Sequence, residues 1–92
     1  MVVEIHSPGD EAYEKLQFYA AIRVPEVWIV DRDTKAPEIH VLTGDGYEKK
    51  GPGPEGWLAS DETGLELKAE KAGKLSVRIA GDESTRADLP ED

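Results

Sequence analysis

The spacing of apolar positions divides the chain into a few short elements. Val2 to His6 is rich in β-branched residues and alternates weakly, which predicts a strand at the very start of the sequence. A period of two sets Val3 and Ile5 on one face, and Val2, Glu4 and His6 on the other. Ser7-Pro8-Gly9-Asp10 reads as a turn and helix start, with Ser7 or Asp10 as the cap and Pro8 at the first helical position. The helix is expected to run to about Ile22, because Ala12, Tyr13, Leu16, Tyr19 and Ala20 gather on one stripe while Glu11, Glu14 and Gln17 face away. Lys15 lies at the edge of that stripe, where its stem can cover apolar surface and its amine reach beyond. Pro25 ends the helical stretch.

Glu26 to Asp31 contains Val-Trp-Ile-Val, a continuous apolar run of the kind that fills a strand covered on both faces. The strand-helix-strand order predicts a right-handed crossover between parallel strands. Asp31 to Pro37 is a polar turn, and Glu38 to Leu42 alternates as a strand. Thr43-Gly44-Asp45-Gly46 then makes a hairpin turn into a returning strand, Tyr47 to Lys50. The loop 51–56, Gly-Pro-Gly-Pro-Glu-Gly, lacks the Lys-Ser/Thr ending of a phosphate loop and carries no nucleotide role. Leu65, Leu67 and Ala69 alternate, as do Leu75, Val77 and Ile79, with Ala72-Gly73 between them, which predicts a second hairpin. Residues 1–80 are expected to form a single domain. The stretch 81–92 has a single leucine among acidic residues and is expected to be a disordered tail.

Composition narrows the options. With 92 residues, the chain buries only about 60–65 per cent of its unfolded surface, so stability is marginal unless a partner helps. There is no cysteine, which leaves carboxylates and histidine as the available metal ligands. No apolar run approaches the roughly 20 residues of a membrane span, and the expected setting is the cytoplasm, with no membrane partner. Twenty acidic side chains against 11 basic ones give a net charge of -9, which opposes non-specific adhesion to nucleic acid or anionic lipid. DNA is therefore a weak partner unless a local basic patch, a metal ion or a second subunit assists.

One polar constellation stands out from the residues alone, a carboxylate on the first strand (Glu4) and a lysine on the helix (Lys15). A glutamate flanked by apolar residues is rarely kept without a partner or a role. The plainer reading pairs it with a lysine at the sheet margin. For Lys15 the plainer reading is an i, i+4 pair with Glu11, worth about 0.3–0.5 kcal/mol. His6 caps or lines the strand end. Ser7, His6 and Asp10 lie too close in sequence to form a nucleophilic relay. Asp31 and Asp33 are turn residues, with Asp31 a remote candidate for a second carboxylate. Trp28, Trp57, Tyr13 and Tyr19 read as core aromatics, and Lys49 with Lys50 is too small a patch for nucleic acid.

Val2-Val3-Glu4-Ile5, Ser7-Pro8, Lys15 and Tyr19 on a helix, then Val24, Glu26 and Trp28, stand in the order and spacing of a known pattern. Together with Leu58-Ala59-Ser60 and Gly64-Leu65-Glu66-Leu67, this resembles the Uma family, proteins described as restriction endonucleases within the PD-(D/E)xK nuclease superfamily. The resemblance implies an α/β (α+β), restriction-endonuclease-like fold with a mixed sheet and one principal helix, here N-terminally truncated. It also implies metal-dependent hydrolysis of DNA phosphodiesters. Glu4 would be the metal ligand for Mg²⁺ (or Mn²⁺), Lys15 the cation that stabilises developing negative charge, and His6 the occupant of the lysine slot in a Glu-x-Lys pair. The family's first metal-binding aspartate would fall immediately before Met1, so the 92-residue chain is expected to be inactive or nearly so. The rival expectation is a non-catalytic, homo-oligomeric interaction module, because an uncovered sheet face tends to meet a copy of itself.

Overall fold

The computed structural model describes residues 1–7, 9, 11–70 and 73–89. Its elements in chain order are β1 (Val2–His6), α1 (Lys15–Ala21), β2 (Glu26–Asp31), β3 (Pro37–Thr43), β4 (Gly46–Lys49), β5 (Leu58–Ala59), β6 (Leu65–Glu70), β7 (Lys74–Ile79) and β8 (Asp82–Leu89). They form two four-stranded sheets, ordered β1-β2-β3-β4 and β5-β6-β7-β8. The first is mixed: β1 runs parallel to β2 across the α1 crossover, and β3 and β4 continue antiparallel. The second is antiparallel throughout. The fold is thus α+β with a mixed sheet and one helix, consistent with a restriction-endonuclease-like fold. No helix among the described residues is long and apolar enough to cross a membrane.

The apolar run of β2 is buried on both faces, and this divides the core in two. Val27 and Ile29 look towards the helix, where they pack with Ala12, Val2, Leu16, Tyr19, Val24 and Tyr47. Trp28 looks the other way, into the space between the sheets, and packs with Ile39, Leu58 and Leu67. Alternation along β2 therefore feeds both layers from one strand.

The helix is shorter than the apolar stripe predicts. It spans only Lys15–Ala21, and Ala12 to Glu14 lie in a turn before it. Glu14 occupies the N-cap position without a side-chain capping bond, and the stripe's first residues lie in a hydrogen-bonded turn, with Lys15 N–H on Glu11 C=O at 3.1 Å and Leu16 N–H on Tyr13 C=O at 3.2 Å. Pro8 and Asp10, expected to open the helix, lie outside the described residues. At the other end, Val24 N–H reaches Tyr19 C=O at 3.0 Å and Arg23 N–H reaches Ala20 C=O at 3.1 Å. This pattern is a Schellman ending, which requires a left-handed residue at Arg23, and Arg23 indeed has φ 61°.

The largest departure from expectation is at the C-terminal end. The stretch expected to be a disordered tail, 81–92, forms strand β8 over Asp82–Leu89, and residues 90–92 lie outside the described set. Hydrophobic burial does not explain it, since β8 is exposed along nearly all its length. Charge pairing does. Arg78 on β7 bonds Glu66 at 2.8 Å and Glu83 at 2.6 Å; Arg86 on β8 bonds Glu70 at 2.8 Å, Glu83 at 3.1 Å and Asp88 at 3.2 Å. Both guanidinium groups lie over the ring of Trp57, Arg78 at 4.1 Å and Arg86 at 5.6 Å from its centroid. Composition reads 81–92 as a solvated tail because Arg78, Glu70 and Ser76, which pair with Glu83, Arg86 and Asp88, lie on other strands, out of reach of a linear reading.

Candidate functional site

Three side chains converge on the helix side of the first sheet. Glu4 projects from the middle of β1, and Tyr19 and Lys15 descend to it from consecutive turns of α1. Tyr19 Oη donates to Glu4 Oε1, and Lys15 Nζ lies 3.5 Å from the same oxygen. The Glu4 side chain is 17% exposed and that of Lys15 50%, so the carboxylate is recessed while the ammonium stays wet. The hydrogen bond to Glu4, together with burial and the nearby negative charge, raises the Tyr19 hydroxyl above its ordinary range and keeps it a donor. Lys15 and Tyr19 are separated by four residues, the spacing that places two side chains on one helical face. That is why a helix of only seven residues delivers both.

His6 stands on the same face of β1, since it follows Glu4 by two residues, but it joins a different group. Its ring lies 5.0 Å from that of Tyr13, edge on. Tyr13 Oη donates to Glu38 Oε2 at 2.9 Å, and His40 Nε2 is 2.9 Å from Glu38 Oε1. Lys49 Nζ approaches Glu38 at 3.8 Å. Burial works against ionisation of Glu38, but the bonds from His40 and Tyr13 and the charge of Lys49 outweigh it and hold its carboxyl below the usual range. The register explains the layout, because Glu4 faces Ile29 and Ile29 faces Glu38 in one row across three strands. Each carboxylate of that row is met by a tyrosine from the crossover segment. Sequence reasoning missed this second cluster. The i, i+2 spacing of Glu38 and His40 placed them on one face, but only the register shows that Tyr13 stands above them.

Asp31, the remote candidate for a second carboxylate, serves its turn. Its Oδ1 accepts the N–H groups of Asp33 and Thr34, both at 2.9 Å, and these bonds hold its carboxyl below the usual range. A hard divalent cation asks for near-octahedral oxygen ligation, normally with more than one protein carboxylate. Glu4 already receives Tyr19 and Lys15 on one oxygen, and no group of three or more His, Cys, Asp or Glu that could hold a metal ion occurs among the described residues. The described residues therefore do not fit a magnesium or manganese centre by themselves.

A third polar node has a different character. Glu26, on the opposite face of the first sheet, is 2% exposed. It accepts the Trp28 indole N–H at 2.7 Å and the Ser60 hydroxyl; Ser60 Oγ in turn receives Thr63 N–H at 3.2 Å and Thr63 Oγ1 at 2.9 Å. This chain of bonds ties β2 to the loop after β5 and so ties the two sheets together. The sequence marks Trp28 as a core aromatic and Glu26 as the start of a buried strand, but the bond from Ser60 to Glu26 joins residues 34 apart and shows only in the fold.

Residues 1–78 match the model of the Uma2 family, described as "Putative restriction endonuclease". No curated protein and no solved structure matches the chain.

Proposed function

The chain belongs to the Uma2 family, and from that premise we propose that it is a nuclease-type domain directed at nucleic-acid phosphodiesters. In this reading Glu4 is the metal-side carboxylate and Lys15 the cation facing the charge that develops on the phosphate. The observation behind it is the convergence of Glu4, Lys15 and Tyr19, from two different elements, at positions that match the family pattern. A single chain is nearly inactive in this reading, because Glu4 lacks a companion carboxylate for Mg²⁺ or Mn²⁺ among the described residues. His6 lines the neighbouring cluster with Tyr13 and takes no direct part.

The test is binding and cleavage of a short DNA duplex at low salt. Lys15→Ala weakens binding and Glu4→Gln strengthens it, because one variant removes a cation and the other an anion facing the phosphate. Binding unchanged in both variants would contradict a phosphate-directed site. Magnesium-dependent, Glu4-dependent cleavage by the isolated chain would overturn the inactivity.

A further inference from the structure

β4 parts from β3 at Lys50, whose N–H bonds Ile39 C=O at 2.8 Å, and the paired residues of the two strands begin at His40 opposite Lys49. Pro37 and Glu38, the first residues of β3, have no strand beside them on that side among the described residues. From Lys50 the chain enters the loop 51–56 and returns as β5 in the second sheet. This detour leaves a cavity of about 370 Å³ between the start of β3, the end of β4, the loop and β6. Pro37, Pro52 and Ala69 line its apolar side, with Leu58 at the base. Its charged lining is Lys49, Lys50 and Lys68 against a single carboxylate, Glu38.

Three cations around one cavity run against the composition of a chain with 20 acidic and 11 basic side chains. In the linear sequence Lys49 and Lys50 are only a pair, and the fold adds Lys68 from the other sheet. Lys68 is half-buried in the middle of β6, with its Cε 3.5 Å from where a Cβ on Gly56 would stand and its Nζ 5.6 Å from the centre of the Trp57 ring. Among the described residues no carboxylate pairs with it. The Lys50 side chain is 28% exposed and reaches Asp61 at 3.3 Å, but Asp61 is 88% exposed, and a pair of that kind is worth little. Lys49 is 3.8 Å from Glu38, whose two oxygens are already bonded by Tyr13 and His40. The cavity falls within the roughly 300–1,000 Å³ of small-molecule pockets, which combine apolar walls with a few placed polar groups. Ammonium groups beside an apolar wall suit a ligand with two unlike ends, a phosphate and a ring.

We propose that this cavity binds a single nucleotide unit, with its phosphate among Lys49, Lys50 and Lys68 and its base against Pro37 and Pro52. The choice of a nucleotide over other organic phosphates rests on the reading of the chain as directed at nucleic acid. Glu38, at the rim, stands in the cross-strand row that starts at Glu4, two strands and about 10 Å away. A strand whose phosphate meets Lys15 can thus set a nearby nucleotide in the cavity.

The experiment is calorimetric titration of the 92-residue chain with thymidine 5′-monophosphate, and separately with thymidine and with inorganic phosphate, at about 0.05 M salt, where screening is weak. The monophosphate is expected to bind roughly tenfold or more tighter than either half. Lys68→Gln and Lys50→Gln each weaken it about tenfold, since each removes one charged partner of the phosphate. Ala69→Glu, at an exposed position, puts bulk and negative charge at the mouth and abolishes binding. Circular dichroism checks that each variant is folded. Arg32→Gln removes an exposed cation outside the cavity and changes binding by no more than about twofold. No binding of the monophosphate at millimolar concentration, inorganic phosphate binding as tightly as the monophosphate, or losses in both lysine variants no larger than in Arg32→Gln would overturn the site. A 5′-phosphorylated trithymidylate separates the two sources of the nucleotide: tighter binding than the monophosphate assigns the cavity to a strand end, and weaker binding assigns it to a free nucleotide. The DNA comparison of Lys15→Ala with Glu4→Gln touches none of these lysines, so the cavity and the phosphodiester reading fail separately.

Discussion

Glu4 and Glu26 are both glutamates on strands of the first sheet, and they have opposite environments. Glu26 is sealed between the sheets and bonded to an indole N–H and a hydroxyl, with no cation among its bonded partners. Glu4 sits on an edge strand, partly open to solvent, with a lysine beside it and a tyrosine bonded to it. A carboxylate sealed by fixed donors can hold a fold together but cannot meet a ligand. A recessed carboxylate at an edge, with a mobile cation beside it, adds little to the fold and remains free to act. The same residue type thus meets two environments in one sheet, and position decides which.

The sharpest way to break this comparison is to remove the sealed carboxylate. Glu26→Ala strands the Trp28 indole and the Ser60 hydroxyl in the interior and should cost about 3 kcal/mol or more in urea unfolding. A loss below about 1 kcal/mol would mean that water replaces the carboxylate and that the node does not tie the sheets.

The next effect concerns one strand. Gly81 N–H and Arg78 hold the Glu66 carboxyl low, Arg86 and Arg78 do the same for Glu83, and Ser76 and Arg86 for Asp88. Carboxyls depressed in the folded state contribute stability above their unfolded values, near 4, and lose it as pH falls through the lower folded values. β8 should therefore lose amide protection below about pH 4 while β2 and β3 keep theirs, and high salt should loosen it in the same way. Uniform loss of protection in both sheets would contradict an ion-paired β8.

Smaller effects sharpen the helix side. Tyr19→Phe removes the hydroxyl that meets Glu4 and should cost about 1 kcal/mol. Arg23→Gly relieves a left-handed residue at the helix end. It should gain about 0.5 kcal/mol, because the loss of the Arg23 bond to Gly44 C=O at 2.7 Å offsets part of the relief. A loss for this variant would show that the exposed bond outweighs the backbone strain.

Much of the fold was legible in the order of apolar runs. The β1-α1-β2 crossover, the β3-β4 hairpin and the β6-β7 hairpin all follow from local periodicity and turn residues, and local patterns survive in a linear reading. β8 did not show, because its partners Arg78, Glu70 and Ser76 lie on other strands and its own residues look solvated. The helix was overdrawn for a related reason. Ala12 and Tyr13 continue the apolar stripe although they lie in a turn before the helix proper. The site shows the same limit. Glu4 and Lys15 could be named from the chain, whereas the cross-strand row that sets Glu38 beyond Ile29, and the Glu26-Ser60 bond across 34 residues, exist only once the register is fixed.

A site role for Glu4 requires that it be spare to the fold, and that is measurable by unfolding Glu4→Gln and Glu26→Gln side by side. An amide at position 4 still accepts the Tyr19 hydroxyl, so Glu4→Gln should change stability by no more than about 0.5 kcal/mol. The Trp28 indole N–H and the Ser60 hydroxyl both bond Glu26 Oε2, so an amide oxygen can accept both, but its NH2 group then replaces Oε1 in a buried position with no acceptor among the described bonds, and Glu26→Gln should cost about 1–3 kcal/mol. That gap is the predicted result. Equal losses in the two variants would make Glu4 a structural residue like Glu26 and would contradict its assignment to the site.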